Sequence, residues 1–201
     1  LVKMKTFNQL KQNLKKDYTA FKTVKVAVLG DSSTQLLVQA LRGAAYNYSL
    51  NLQIWEADFN QIENAVFDDV SALYGFNPDV VVIFHSSHKL LGKFNKLHPG
   101  SYSSFAQEHN EHLHILYEHL NNKLNTKFIY FNFNEIEDSV FGSFSNRTSS
   151  SFLFQLRKLN YELMLFSSER TNFYLCDLST IQNLAGRSAF FQPSIYVNTE
   201  M

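Results

Sequence analysis

Val24-Lys-Val-Ala-Val-Leu-Gly-Asp-Ser-Ser-Thr-Gln-Leu-Leu37 is the stretch on which the reading of this chain turns. Residues 24–29 are a short β-branched run that stops at Gly30 and four small polar residues, Asp31, Ser32, Ser33 and Thr34. After that turn Leu36, Leu37, Ala40 and Leu41 recur at helical spacing. A strand, a glycine turn and a helix opened by small polar residues form the first βα unit of a doubly wound sheet.

The flanking sequence repeats the rhythm. Leu50-Asn-Leu-Gln-Ile-Trp55 alternates with period two and predicts a second strand, and residues 60–73 predict a helix closed by Gly75 and Pro78. Asp79-Val-Val-Val-Ile-Phe84 is almost continuously apolar, as a parallel strand covered on both faces must be. Residues 105–124 and 151–168 read as helices, and residues 127–133 and 172–176 as strands. The lysine-rich opening, residues 3–22, reads as a helix on the surface. The expected architecture is a three-layer α/β/α sandwich on a five-stranded parallel sheet, flavodoxin-like in type.

Composition narrows the function. The 201 residues carry 18 basic and 18 acidic groups, with a pI of about 7.2, so no broad field draws nucleic acid or anionic lipid. The chain is 45% hydrophobic and includes 19 Phe, enough core material to exclude intrinsic disorder. Cys176 is the single cysteine, so no internal disulfide forms. No apolar run reaches the roughly 20 residues a membrane helix needs, and Leu1-Val-Lys-Met-Lys lacks the apolar stretch of a secretory signal. A soluble, cytoplasmic domain is expected.

In open α/β sheets ligands bind at the carboxyl ends of the strands. The polar residues expected there are Gly30, Asp31, Ser32 and Ser33; Glu56 and Asp58; His85, Ser86, Ser87 and His88; Asn132 and Asn134; and Asp177. Ser, His and Asp in one crevice can support nucleophilic catalysis, whereas Asp31 to Thr34 equally suit a helix N-cap. All seven histidines fall between His85 and His119. His109 and His112 are helix neighbours at i, i+3, but His114 projects to another face and His119 lies two turns from His112, which predicts a solvated face and no metal site. No Gly-x-Gly-x-x-Gly and no P-loop is present, and the Asn146-Arg-Thr148 glycosylation spelling is incidental in a cytoplasmic chain.

Gly30-Asp31-Ser32 resembles the Gly-Asp-Ser block of the SGNH (GDSL-type) hydrolases, in which the Ser is the nucleophile; the resemblance implies Ser32 in that role. Other blocks depart from the pattern. The loop after the second strand, Glu56-Ala-Asp58-Phe59, has no donor Gly, and His85-Ser86-Ser87-His88 stands where Gly-x-Asn-Asp belongs. Asp177-Leu-Ser-Thr180 has the late Asp without its His. A serine without an imidazole is a poor nucleophile at neutral pH. A working esterase or acyltransferase would need Ser32, Asp177 as orienting carboxylate and His85 or His88 as an unusual base.

Residues 26–37, 78–83, 151–160, 177–187 and 190–196 together resemble the amino-terminal domain of FkbH-like proteins. That resemblance implies a second, haloacid-dehalogenase-type (HAD) phosphatase domain further on, which binds Mg²⁺ through an Asp-x-Asp-x-Thr strand. No such motif occurs here, so no cofactor is expected in this chain. The implied layout is an N-terminal helix over 1–23, an SGNH-like domain over 24–186 and a segment, 187–201, leading to the HAD-like domain. The implied function is a degenerate SGNH-like accessory domain. It would help recognise a small-molecule substrate or an acyl carrier protein, in glyceryl or acyl transfer or in polysaccharide or polyketide assembly. Phe141, Phe144, Phe190, Phe191 and Tyr196 are expected to border the crevice or the second domain, where exposed apolar surface marks a contact.

Overall fold

β-Branched and aromatic residues concentrate in five short runs, and each becomes a strand. In the computed structural model, which describes residues 5–136 and 140–186, these are β1 (Lys22–Gly30), β2 (Leu50–Glu56), β3 (Val80–Phe84), β4 (Lys127–Phe131) and β5 (Phe173–Cys176). The segment 187–201, with Arg187, Phe190, Phe191 and Tyr196, lies outside the described residues. All pairings are parallel and the strand order is β2-β1-β3-β4-β5, the doubly wound order with its switch point between β1 and β3.

Handedness then distributes the helices. The β1-to-β2 crossover runs toward one edge and the later ones run toward the other, so right-handed connections place them on opposite faces. The larger core joins Ala27, Leu29, Val81, Ile83, Phe128, Tyr130 and Phe173 to helices α3 (Ile62–Phe67), α4 (Ala72–Phe76), α5 (Ser87–Phe94), α6 (Phe105–Lys123) and α7 (Phe152–Ser168). On the other face Val26, Val28 and Val82 make a smaller cluster with Val38 of α2 (Gln35–Ala45).

Four elements depart from the sequence reading. The opening helix is only α1 (Phe7–Asn13), begun by a Thr6–Gln9 capping box. It ends where Asn13, buried, donates its amide to the Gly43 carbonyl (2.9 Å) and Asp17 accepts the Thr19 N–H (2.9 Å) in a turn. The helix expected over 60–73 is two, because Asp68 takes extended backbone and accepts the Val70 N–H (3.0 Å), while Ser71 caps α4. Helix α5 starts at Ser87, in a stretch to which the sequence reading gave no element, with Leu90 and Phe94 buried one turn apart. A final helix, α8 (Leu178–Ala185), follows β5 directly. Among the described residues no helix is long and apolar enough to cross a membrane.

Candidate functional site

The carboxyl ends of β1 and β3 lie side by side, with Gly30 opposite Phe84. A Cβ on Gly30 would sit 2.3 Å from the Thr34 Cγ2, so a side chain there would force the buried Thr34 to shift. Asp31 continues the ladder by donating its N–H to the Phe84 carbonyl (3.2 Å). Its Oδ1 accepts the Ser86 N–H (2.9 Å) and the Ser32 hydroxyl (3.0 Å). Asp31, Ser32, Ser86 and Ser87 are all buried. Burial pushes the Asp31 carboxyl up, against the pull of the Ser86 and Ser32 hydrogen bonds and the Lys89 and Lys93 charges. Lys89 donates its ammonium to the Asp31 carbonyl and lies 4.1 Å from the centre of the Phe59 ring.

His85 is committed elsewhere. Its Nδ1 pairs with the Tyr130 hydroxyl (2.9 Å), and its ring meets His109 edge-on at 5.7 Å. Complete desolvation, with the nearby Lys93 and His112 charges, drives its pKa down to about 3. The ring is therefore neutral at pH 7 but too weakly basic to draw a proton from a serine. His88 sits half-buried in the first turn of α5, and its pKa is lowered by burial. Ser87 donates to Asn134 Oδ1 (2.8 Å), Ser33 is half-buried beside Thr34, and Asp58 is exposed beyond β2.

Asp177 and Asn132 form a second knot. The Asn132 amide donates to Asp177 Oδ1 (2.8 Å) and its Oδ1 accepts the Leu178 N–H (2.6 Å). Asp177 also accepts the Thr180 N–H (3.1 Å) and hydroxyl (2.5 Å), so it caps α8. The Thr180 hydroxyl bond leads the effects that lower its pKa. The structure thus joins Asp31, Ser32 and Ser86, joins Asn132 to Asp177, and joins His85 to Tyr130. Among the described residues, no hydrogen bond links an imidazole to the Ser32 hydroxyl or to the Asp177 carboxylate.

Three participants escaped the sequence reading. Tyr130 read only as one aromatic of a buried strand. Lys89 carried no motif, and Asn160 read only as the end of the 151–160 block, although its amide accepts the Phe133 N–H (2.9 Å) and donates to its carbonyl (2.7 Å), fastening the end of β4 to α7. The expectation of a solvated histidine face fails for His109. It packs against His85, Phe105 and Phe133, because the lower turns of α6 cross over the sheet. His112 faces Glu63 at 3.4 Å and His119 faces Asp69 at 4.0 Å. Among the described residues no three His, Cys, Asp or Glu side chains could hold one metal ion.

Fold and crevice together define a doubly wound α/β domain whose Gly-Asp-Ser turn is held by its own carboxylate. Comparison with known families assigns it further: residues 25–201 match the FkbH N-terminal domain, and the chain belongs to that family. It is similar to the crystal structure of the N-terminal part of the protein BF1531 from Bacteroides fragilis, described as containing a phosphatase domain complexed with Mg. The identity is 40% and the TM-score 0.92, over 98% of this chain and 52% of that one, so this chain spans about half its relative's length. A weaker likeness, at 18% identity and a TM-score of 0.46 over 79% of each chain, is to the acetyl xylan esterase AlAXEase. No curated protein matches.

Proposed function

We propose that this is a non-hydrolytic accessory domain that works beside a phosphatase domain of the same polypeptide. The observation that carries the reading is the commitment of the Ser32 hydroxyl to the Asp31 carboxylate, with Asp177 engaged in capping α8. Activation of a serine needs a base whose pKa lies near the working pH and whose lone pair faces the hydroxyl. Asp31 holds the hydroxyl in place, but a carboxylate is a far weaker base than an imidazole, and His85 turns its Nδ1 to Tyr130.

The second domain is argued from the relative, whose phosphatase domain and Mg²⁺ are named together while this chain matches about half of it. We assign any Mg²⁺ requirement of the whole protein to that second domain and none to the residues of this crevice. The role left to this domain is recognition of a small-molecule substrate or of an acyl carrier protein, in a cytoplasmic setting that suits its lone thiol.

The test is hydrolysis of p-nitrophenyl acetate by the wild-type domain and by Ser32→Ala. Equal rates, both at the level of Ser32→Ala with His85→Gln added, support the accessory reading. A rate that falls about 100-fold or more with Ser32→Ala is what loss of an activated nucleophile produces, and it would make this an esterase or acyltransferase.

A further inference from the structure

Helix α8 is mounted with its polar side inward. Ser179 donates to the Phe133 carbonyl (3.0 Å) and the buried Gln182 donates to the Glu135 carbonyl (3.3 Å). Those bonds turn Ile181 and Leu184 to solvent, Leu184 with 83% of its surface exposed. A surface helix ordinarily does the opposite and hides its apolar stripe against the body.

A continuous polar chain leads from α8 to a second exposed apolar site. The Glu135 carboxylate takes a two-pronged hydrogen bond from Arg157 (2.6 and 2.8 Å), and Arg157 also donates to Asn146. Asn146 belongs to the short helical turn 142–147, beside which Phe141 and Phe144 stand exposed. Beside α8, Glu135, Ser179, Gln182, Asn183 and Gly186 line a cleft of about 250 Å³. Two exposed apolar pairs, Ile181 and Leu184 on α8 and Phe141 and Phe144 at the turn, are thus joined by the polar chain that passes through the cleft's Glu135 and Gln182. An exposed apolar rim around a satisfied polar network is the composition of an interface and is unfavourable in water.

We propose that this corner, with Ile181 and Leu184 on one side and Phe141 and Phe144 on the other, is the docking surface for the domain that follows in the same polypeptide. The proposal rests on the two-domain reading above and gives it an address. Two facts select the occupant. The solved relative is nearly twice as long as this chain and has a phosphatase domain. Gly186, the last described residue, itself lines the cleft, and the family match continues through residue 201, so the described residues end at this corner. A tethered partner meets its site at high effective concentration, so a modest apolar patch suffices to hold it. The cleft supplies donors and acceptors for the rim of such a contact, and the Glu135–Arg157 pair fixes the two sides relative to each other.

The experiment uses the full-length polypeptide, with Ile181→Lys/Leu184→Lys as the variant. Both positions are exposed, and a cation in the last turn suits a helix C-terminus, so the fold of α8 is preserved. Small-angle scattering should give one compact particle for the wild type and a longer maximum dimension for the variant. Protease should cleave between the domains of the variant about tenfold faster or more. Tyr48→Lys, also exposed but placed after α2, should behave as wild type. Unchanged scattering and cleavage in the double variant would overturn the proposal. So would a wild type whose mass rises with concentration and falls to that of one copy in the variant, because the surface would then join two copies. Neither outcome touches the ester-hydrolysis test, and loss of hydrolysis in Ser32→Ala would leave this contact standing.

Discussion

Asp31 shows how one side chain can organise a site without performing chemistry in it. It belongs to the Gly-Asp-Ser stretch that drew attention to the crevice, yet its neighbour Ser32 read as the important residue. In the fold the carboxylate bridges two strand ends by accepting the Ser86 N–H, 55 residues away, as well as the Ser32 hydroxyl. Removing it strands a buried backbone donor, so Asp31→Ala should cost about 1–3 kcal/mol in urea unfolding. Asn presents the same acceptor without a buried charge. Because burial already drives the Asp31 carboxyl toward its neutral form, Asp31→Asn should cost less than about 1 kcal/mol at pH 7. Equal losses in the two variants would mean that charge, rather than the accepted hydrogen bonds, is what the site needs. The Gly-Asp-Ser turn was legible because its residues are neighbours in sequence. The pairs Asp31–Ser86, His85–Tyr130 and Asn132–Asp177 were not, since each joins strand ends 45 to 55 residues apart that no local pattern connects.

At the level of elements, the strands were readable because they are buried runs of β-branched and aromatic residues cut off by turns. The long helices were readable from three or more turns of periodic apolar residues. Helices α5 and α8 were missed because each has eight residues, too few for periodicity to speak, and opens on serines and threonines that also suit a loop. Their caps were the available signal, Ser86 before Leu90 and Phe94, and Asp177 before Thr180. Asp177 therefore matters to α8 as a cap, and Asp177→Ala should fray that helix by about 1 kcal/mol. Hydrogen exchange of residues 178–182 measures it, and an unchanged rate would show that Asn132 alone starts the helix. The packing of α1 on α2 depends on Gly43, where a Cβ would lie 2.2 Å from the Leu10 carbonyl oxygen. Gly43→Ala improves helix propensity in isolation, but here it must push α1 away, so we expect a net loss of about 1–3 kcal/mol. Protease sensitivity should appear in residues 7–20 first. A variant more stable than wild type would show that α1 yields without penalty.

The whole molecule divides at its sheet. Three crossovers crowd one face and build a large aromatic core, and His85 is buried at its edge near the crevice with the half-buried His109 against its ring. The groups that act on them are few: Tyr130 bonded to His85, Lys93 of α5, His112 of α6 and Glu63 of α3. Burial dominates, and it holds both imidazoles below their ordinary value, His85 at about 3. In the unfolded chain these rings titrate near 6.5, so below that pH the unfolded state binds protons that the folded state refuses. Stability is therefore full above about 6.5 and declines as pH falls toward 3, with His85 alone removing about 2–3 kcal/mol by pH 4.5. Asp31 works in the opposite sense, because its raised pKa favours the folded state as pH falls, and it softens the decline. The depressed carboxylates Asp17, Asp69 and Asp177 keep their contribution above their ordinary carboxylate pKa and lose it as the pH falls below that value, so they add to the decline only at its acid end. Urea unfolding at pH 7.5 and 4.5 measures the decline, and His85→Gln, which keeps an acceptor for Tyr130, should reduce the loss between the two by about 2–3 kcal/mol. An equal slope in the variant would mean that His85 is hydrated in solution, and that the interior beneath the crevice is open to water.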